Sequence, residues 1–163
     1  NKLPEGMGSC YKKGLEYANK KFYMHIVSKN ECDKDSIKKL IESRFKADII
    51  IPYTSNMNER DSFRKYLSYF FTVIINFLNG LNIRYYNGTV IYRTHILKSI
   101  KFNSSYHTFQ CEALLRLIKK KYTYIQLPVI VNWNKSHKTS AFKASNFKSV
   151  FKLILNIILK KYD

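Results

Sequence analysis

Apolar residues recur along this chain with two alternating periods, and the alternation predicts a run of helices and short strands. Residues 9–19 place Cys10, Leu15 and Ala18 on one side of a helix with lysines on the other, and an aromatic and β-branched run over 22–27 predicts a strand after it. Asp33 then stands before SIKKLIESRF, where Ile37, Leu40, Ile41 and Phe45 repeat at helical spacing behind an acidic N-cap. The segment ADIIIPY is an uninterrupted apolar run ended by Pro52, the pattern of a strand buried on both faces in a mainly parallel sheet. A polar stretch at 54–60 leads to a long helix over 60–78, with Phe63, Leu67, Phe70, Phe71, Ile74, Ile75 and Leu78 as its apolar face and Asn79-Gly80 as its stop.

The second half continues in the same style. The loop NIRYYNG leads to a short strand TVIYR, a brief helix around 95–99, a helix over 108–120, and the strand YTYIQLPVIV. A polar loop, NWNKSHKTS, precedes a closing amphipathic helix with basic residues at both ends. Strands alternating with helices predict an α/β domain, and 163 residues suffice for one ordinary core rather than two. We expect a principal domain over residues 1–142 and the amphipathic helix over 143–163.

Charge changes the picture next. The chain carries 29 Lys+Arg against 11 Asp+Glu, a formal net charge of +18, which implies an anionic partner without choosing among nucleic acid, acidic lipid and nucleotide or polyprenyl phosphates. Much of the excess is lysine in a chain also rich in Asn, Ile and Tyr, a composition that an AT-biased genome encodes for any function. No stretch reaches the roughly 18 apolar residues that cross a bilayer. Cys10, Cys32 and Cys111 lie far apart without metal-ligand spacing, as expected of reduced thiols in a cytoplasmic protein, and His25 and His95 stand in apolar contexts with no metal assigned to them.

Several segments, in order, carry a resemblance to family 2 glycosyltransferases of the GT-A fold, particularly those acting on polyprenyl phosphates or building surface polysaccharide. Gly6, Gly8, Gly14, Leu15 and Ala18 resemble that family's glycine-containing helix, and FYMHIV followed by SKNE resembles the strand entering its metal and diphosphate motif. ADIIIPY resembles the next core strand, GLNIRYYNGTVIYRTHIL the acceptor-side turn and strand, and HTFQCEALLRLIKKKYTYIQLPV the aromatic-Gln-x-Glu helix with its following strand. NKSHKTSAFK resembles a basic loop that closes over the diphosphate, and the last helix a membrane-skirting element.

The resemblance implies a Rossmann-like, mainly parallel sheet flanked by helices and N-terminally incomplete, lacking the strands that hold the nucleotide. It implies inverting transfer of a sugar from a nucleotide-sugar to a polyprenyl-phosphate or glycan acceptor by a protein peripheral to the inner face of the membrane, against an acidic lipid surface. Glu112 is then the catalytic base or an acceptor ligand; Tyr86, Asn87, Gly88 and Gln110 line the sugar pocket, with Gly88 structural and Asn87 facing inward; Lys135, His137 and Lys138, with Thr139 and Ser140, close over phosphates. The family's divalent cation, Mg or Mn, falls to Asn30 and Glu31. Relatives place an aspartate there because hard cations prefer carboxylate oxygen, whereas this chain has Lys29. The residues leave three outcomes open: oxygen ligation by Asn30 and Glu31, direct neutralisation of the diphosphate by Lys29, or a dead site. Two other functions compete, a family-like lipid- or glycan-binding protein without catalysis and a basic nucleic-acid-binding module.

Overall fold

The computed structural model describes residues 7–26, 31–101, 108–133 and 144–159. Helix α1 (Met7–Tyr17) buries Tyr11 and Leu15 and is followed by strand β1 (Phe22–Met24). Helix α2 (Lys34–Glu42) begins where the pattern predicts, because the Asp33 carboxylate accepts a hydrogen bond from the Ser36 backbone N–H at 3.0 Å. Strand β2 (Ile49–Thr54) is the apolar run, with Ile49, Ile50 and Ile51 all buried. Helix α3 (Ser62–Asn79) is capped by Asp61, which accepts from the Arg64 N–H at 3.0 Å, and ends at Gly80, whose φ of 61° is the left-handed conformation that a side chain would strain.

Strand β3 (Ile91–Arg93) runs directly into the short helix α4 (Thr94–Lys98). Helix α5 (Phe109–Lys119), strand β4 (Tyr124–Val129) and helix α6 (Ala144–Ile158) complete the described elements. Among the described residues no helix is long and apolar enough to cross a membrane.

The four strands form one mixed sheet in the order β1-β3-β2-β4. The α/β class is as expected; the mainly parallel ladder is corrected, because β3 pairs antiparallel with both β1 and β2 and only β2 with β4 is parallel. It follows that β1, β2 and β4 all point one way, with β3 inverted between the first two. Periodicity reports which face of a strand is buried and carries no information on its direction, so β3 looked like its neighbours from the sequence. Both strand prolines sit where a missing N–H is tolerated: Pro128 on the edge strand β4, and Pro52 beyond the β3 ladder, which covers only Ile49 and Ile50 of β2.

A polar knot fixes one end of the sheet. The Asp48 carboxylate accepts from Thr123 Oγ1 at 2.7 Å and from the Thr123 N–H at 3.1 Å, and pairs with Arg93 at 2.9 Å, so the starts of β2 and β4 and the end of β3 share one anion. These bonds hold the Asp48 carboxyl below its ordinary pKa, the Thr123 hydroxyl contributing most. The main core lies between the sheet and helices α1, α3, α4, α5 and α6, around Ile49, Ile51, Tyr92, Leu97, Leu114 and Ile157.

Helix α3 departs from its predicted single apolar face. Ile75 is fully buried and Phe71 and Leu78 pack on the core, but Phe63 and Phe70 are 62% and 58% exposed. The apolar positions therefore divide between an inner and an outer side.

Candidate functional site

Three co-directional strands bring their carboxyl ends to one edge of the sheet, and the inverted β3 begins at that same edge. Open α/β sheets bind ligands at this edge because the strands stop and loops take over. Here the edge carries a pocket of about 100 Å³. His25 follows β1, Asn87, Gly88 and Thr89 precede β3, Phe109 and Gln110 open α5, and Met7 of α1 closes one side.

The wall beneath is aromatic and rigid. Tyr11 lies 4.6 Å from Phe109 and 5.0 Å from Tyr23 between ring centroids, and the Tyr23 hydroxyl donates to the Tyr11 carbonyl at 2.9 Å. His25 meets the rings of Tyr11 and Phe109 edge-on, at 5.9 and 6.1 Å. Burial pushes the His25 pKa below its ordinary 6.5, so the imidazole is neutral near pH 7 and has one nitrogen free to accept a proton. In the sequence His25 is a lone histidine in an apolar context. The signal that points to it is its place immediately after a strand of this sheet, which becomes visible once β1 is known to end at Met24.

Asn87 and Gly88 both line the pocket, and Gly88 is structural for a definite reason. A Cβ at Gly88 would come within 2.7 Å of the Pro52 carbonyl oxygen and 2.8 Å of its ring, so this position needs glycine for close approach of the turn to β2. Gly80 is the glycine with positive φ among the described residues; Gly88 is not. Gln110 lines the pocket while 94% of its surface is shielded, its relative exposure being 6%.

Tyr86 requires correction as a pocket residue. It is fully buried, with its hydroxyl donating to Asn76 Oδ1 at 2.7 Å, and the same Asn76 exchanges hydrogen bonds with Ile83. It thus locks the 81–86 turn onto α3, and the adjacent Asn87 is the residue that lines the pocket.

Glu112 is also placed differently from the cleft expectation. Two residues along a helix is a turn of about 200°, so with Gln110 on the pocket wall Glu112 points elsewhere. Glu112 is 1% exposed, and its carboxylate is engaged by Arg116, whose Nε donates to Oε1 at 3.1 Å. Lys12 of α1 senses this charge: burial lowers the Lys12 pKa, and the Glu112 carboxylate partly offsets the shift.

Glu31 is exposed on the far side of the edge, where its carbonyl accepts from the Asn132 N–H and Cys32 bridges to Val131. Lys29, Asn30, Lys135, His137, Lys138, Thr139 and Ser140 lie outside the described residues. No group of three or more His, Cys, Asp or Glu side chains gathers among the described residues, and Asn30 of the expected cation pair lies outside them. Beside this segment the Trp133 indole donates to the Asn56 carbonyl at 3.1 Å, and the Arg60 guanidinium lies 5.2 Å from its ring.

No protein-family model matches the chain, and no curated protein sequence matches it.

Proposed function

We propose that this chain is a family 2-like glycosyltransferase domain of GT-A type, and that the pocket between β1, β3 and α5 holds the sugar undergoing inverting transfer. One observation carries the reading: Asn87, Gly88 and Gln110, from two separate segments bearing the family resemblance, meet at the carboxyl edge of co-directional strands. The chemistry of the lining suits a sugar. Asn87 and Gln110 each offer an amide donor and acceptor for hydroxyl groups, and the exposed Met7 offers apolar surface to the C–H face of a pyranose ring.

In such a transfer the acceptor oxygen attacks the anomeric carbon as the bond to the nucleoside diphosphate breaks, and the diphosphate leaves with the bonding electrons. A hydroxyl acceptor must lose its proton, and neutral His25 is the base within the pocket. A polyprenyl-phosphate acceptor is already anionic and needs no base, and the +18 chain favours both it and a nucleotide-sugar.

A second reading, sugar binding without transfer, is favoured by the engagement of Glu112 with Arg116. The two separate in one experiment: the whole chain is incubated with radiolabelled nucleotide-sugars and polyprenyl phosphate or glycan acceptors, with ligand-observed NMR alongside. Transfer that falls by roughly 10²–10⁴-fold in His25→Asn on hydroxyl acceptors, with sugar binding retained, is the expected result. Sugar binding without turnover for any donor establishes the second reading. Neither binding nor transfer defeats both.

A further inference from the structure

Four chain segments meet at the end of the sheet away from the pocket, where β1, β2 and β4 begin and β3 finishes. Hydrogen bonds lay them side by side. The Thr94 N–H donates to the Lys21 carbonyl at 2.9 Å, the Arg93 N–H to the Asp48 carbonyl at 3.2 Å, and the Ile49 N–H to the Thr123 carbonyl at 3.0 Å. Adjacent strands lie about 4.8 Å apart, so the row across all four is roughly 14 Å long. Lys20 and Lys21 stand just before β1, Lys46 shortly before β2, and Lys120 and Lys121 shortly before β4, all of them exposed. Asp48 is the acid within this row, and Thr123 and Arg93 already engage its carboxylate. The row therefore presents concentrated positive charge on a base fixed by the sheet.

Lys121 adds a second, independent observation. Its φ of 64° lies in the left-handed region, and among the described residues it is the non-glycine with positive φ. The conformation closes α5: the Lys121 N–H donates to the Ile118 carbonyl at 2.9 Å and the Tyr122 N–H to the Leu117 carbonyl at 3.3 Å, a pattern that ordinarily puts glycine just past the helix. Helix α3 ends in the same conformation and does put glycine there, Gly80 at φ 61°. A side chain strains this backbone, so the lysine after α5 costs stability that glycine would spare, and what it supplies is charge in the row. At the β1 end the row also has an apolar partner. The Phe45 ring is 56% exposed and meets Phe22 edge-on at 5.1 Å, with the Arg44 guanidinium 4.5 Å and the Lys21 ammonium 5.3 Å from its centroid.

We infer that this edge is a docking site for an acidic segment of another protein, an extended run of Asp and Glu with an apolar side chain at one end. At about 3.3 Å per residue, the row is the length of roughly four to five residues of extended chain. Carboxylates along such a segment meet the lysines before β1, β2 and β4 in turn, while its apolar side chain rests on the exposed edge of Phe45. Other anions fit the row less well. A single phosphate reaches one end of it and leaves the other lysines unused. A nucleic-acid base needs an open aromatic face to stack on, whereas two cations already lie over the Phe45 ring. A bilayer needs a broad apolar face, and the large apolar side chains exposed along the row are confined to its β1 end. The site is at the opposite end of the sheet from the pocket, so the inference stands apart from the transferase reading.

The test is fluorescence anisotropy of a labelled synthetic peptide, GSLEDEDEGS, titrated with the whole chain, with oligothymidylate and phosphatidylglycerol vesicles as competitors. Peptide affinity should fall roughly tenfold or more in Lys21→Ser/Lys46→Ser/Lys121→Ser. It should change less than about twofold in Lys38→Ser/Lys148→Ser/Lys152→Ser, which removes the same charge from exposed positions on α2 and α6. Phe45→Ser should weaken binding of this peptide and leave unchanged the binding of one with serine in place of its leucine. Lys121→Gly guards against a folding artefact: it should raise the thermal unfolding midpoint by about 1–4 °C and still weaken the peptide. A control variant that weakens the peptide as much as the edge variant overturns the inference, because net charge alone would then account for binding. Absence of binding up to millimolar peptide at low salt overturns it too. So does tighter, edge-dependent binding of oligothymidylate or of the vesicles, which would reassign the row to nucleic acid or to lipid.

Discussion

Helices α3 and α5 rest on the same core, and the more apolar of them is the less buried. The 11 residues of α5 bury eight side chains, including Gln110 and Glu112, whereas the 18 residues of α3 bury Thr72 and Ile75 alone. Their surroundings explain the inversion. Helix α5 packs on α4, its Phe109 stacks on Tyr11 of α1, and the Thr108 hydroxyl before it lies 2.6 Å from Ser149 of α6, so neighbours cover it on several sides. Helix α3 packs on α6 and the core along one side only. Residue type thus sets what a side chain gains from burial, while the number of neighbouring elements sets whether burial occurs.

The largest effect expected from this contrast is in stability. Leu114→Ala, at a fully buried position of α5, should cost about 2–5 kcal/mol, because the methyl groups lost leave a cavity that a clamped helix fills poorly. Phe77→Ala removes a larger side chain from α3 but one that is 85% exposed, and should change stability by less than about 0.5 kcal/mol. Urea denaturation of both variants measures the pair. Comparable losses would break the comparison, since they would mean that the outer stripe of α3 is covered in the free protein.

A smaller effect is expected at the turn that delivers Asn87 to the rim beside α5. Gly88→Ala forces a methyl group onto the Pro52 carbonyl, a backbone atom that cannot rotate away, and should cost about 1–3 kcal/mol. The same shift should weaken ligand binding in the pocket, whereas Asn87→Ala, at an exposed position, should weaken binding and leave the unfolding midpoint nearly unchanged. If Gly88→Ala proved neutral in both measurements, the tight seating of this turn on β2 would be wrong.

Local signals were legible in the sequence because their causes are local. The Asp33 cap, the Gly80 stop and the triple isoleucine of β2 each act within a few residues, and each stands where the pattern put it. The direction of β3 was not legible, because it depends on pairing with β1 and β2, strands tens of residues away. Nor was the division of α3 into inner and outer sides, since periodicity finds an apolar stripe but cannot say what covers it when two stripes share one helix. In the candidate site, Asn87, Gly88 and Gln110 come from segments that the sequence singles out and share one pocket, whereas Tyr86 and Glu112 turn away by one residue of loop and two of helix. Such a small offset decides which wall a side chain faces, and only the folded backbone sets it.

The smallest expected effect belongs to His25, and it sharpens the contrast because the imidazole is held against α5 through Phe109. Burial lowers its folded-state pKa below the 6.5 of an unfolded chain, so in the window between the two values the unfolded state binds more protons than the folded one. Stability therefore rises with pH across that window and is lost as pH falls below about 6.5. His25→Phe keeps an aromatic ring against Tyr11 and Phe109 and removes the titration. Its stability should decline less steeply than that of the natural chain between neutral and mildly acidic pH, while the Asp48 contribution, lost only in stronger acid as that carboxylate protonates, should be the same in both. Thermal unfolding of the two chains through this range measures the difference. Parallel pH profiles would show that His25 is solvated rather than packed at the rim, and would remove the neutral imidazole from the pocket's chemistry.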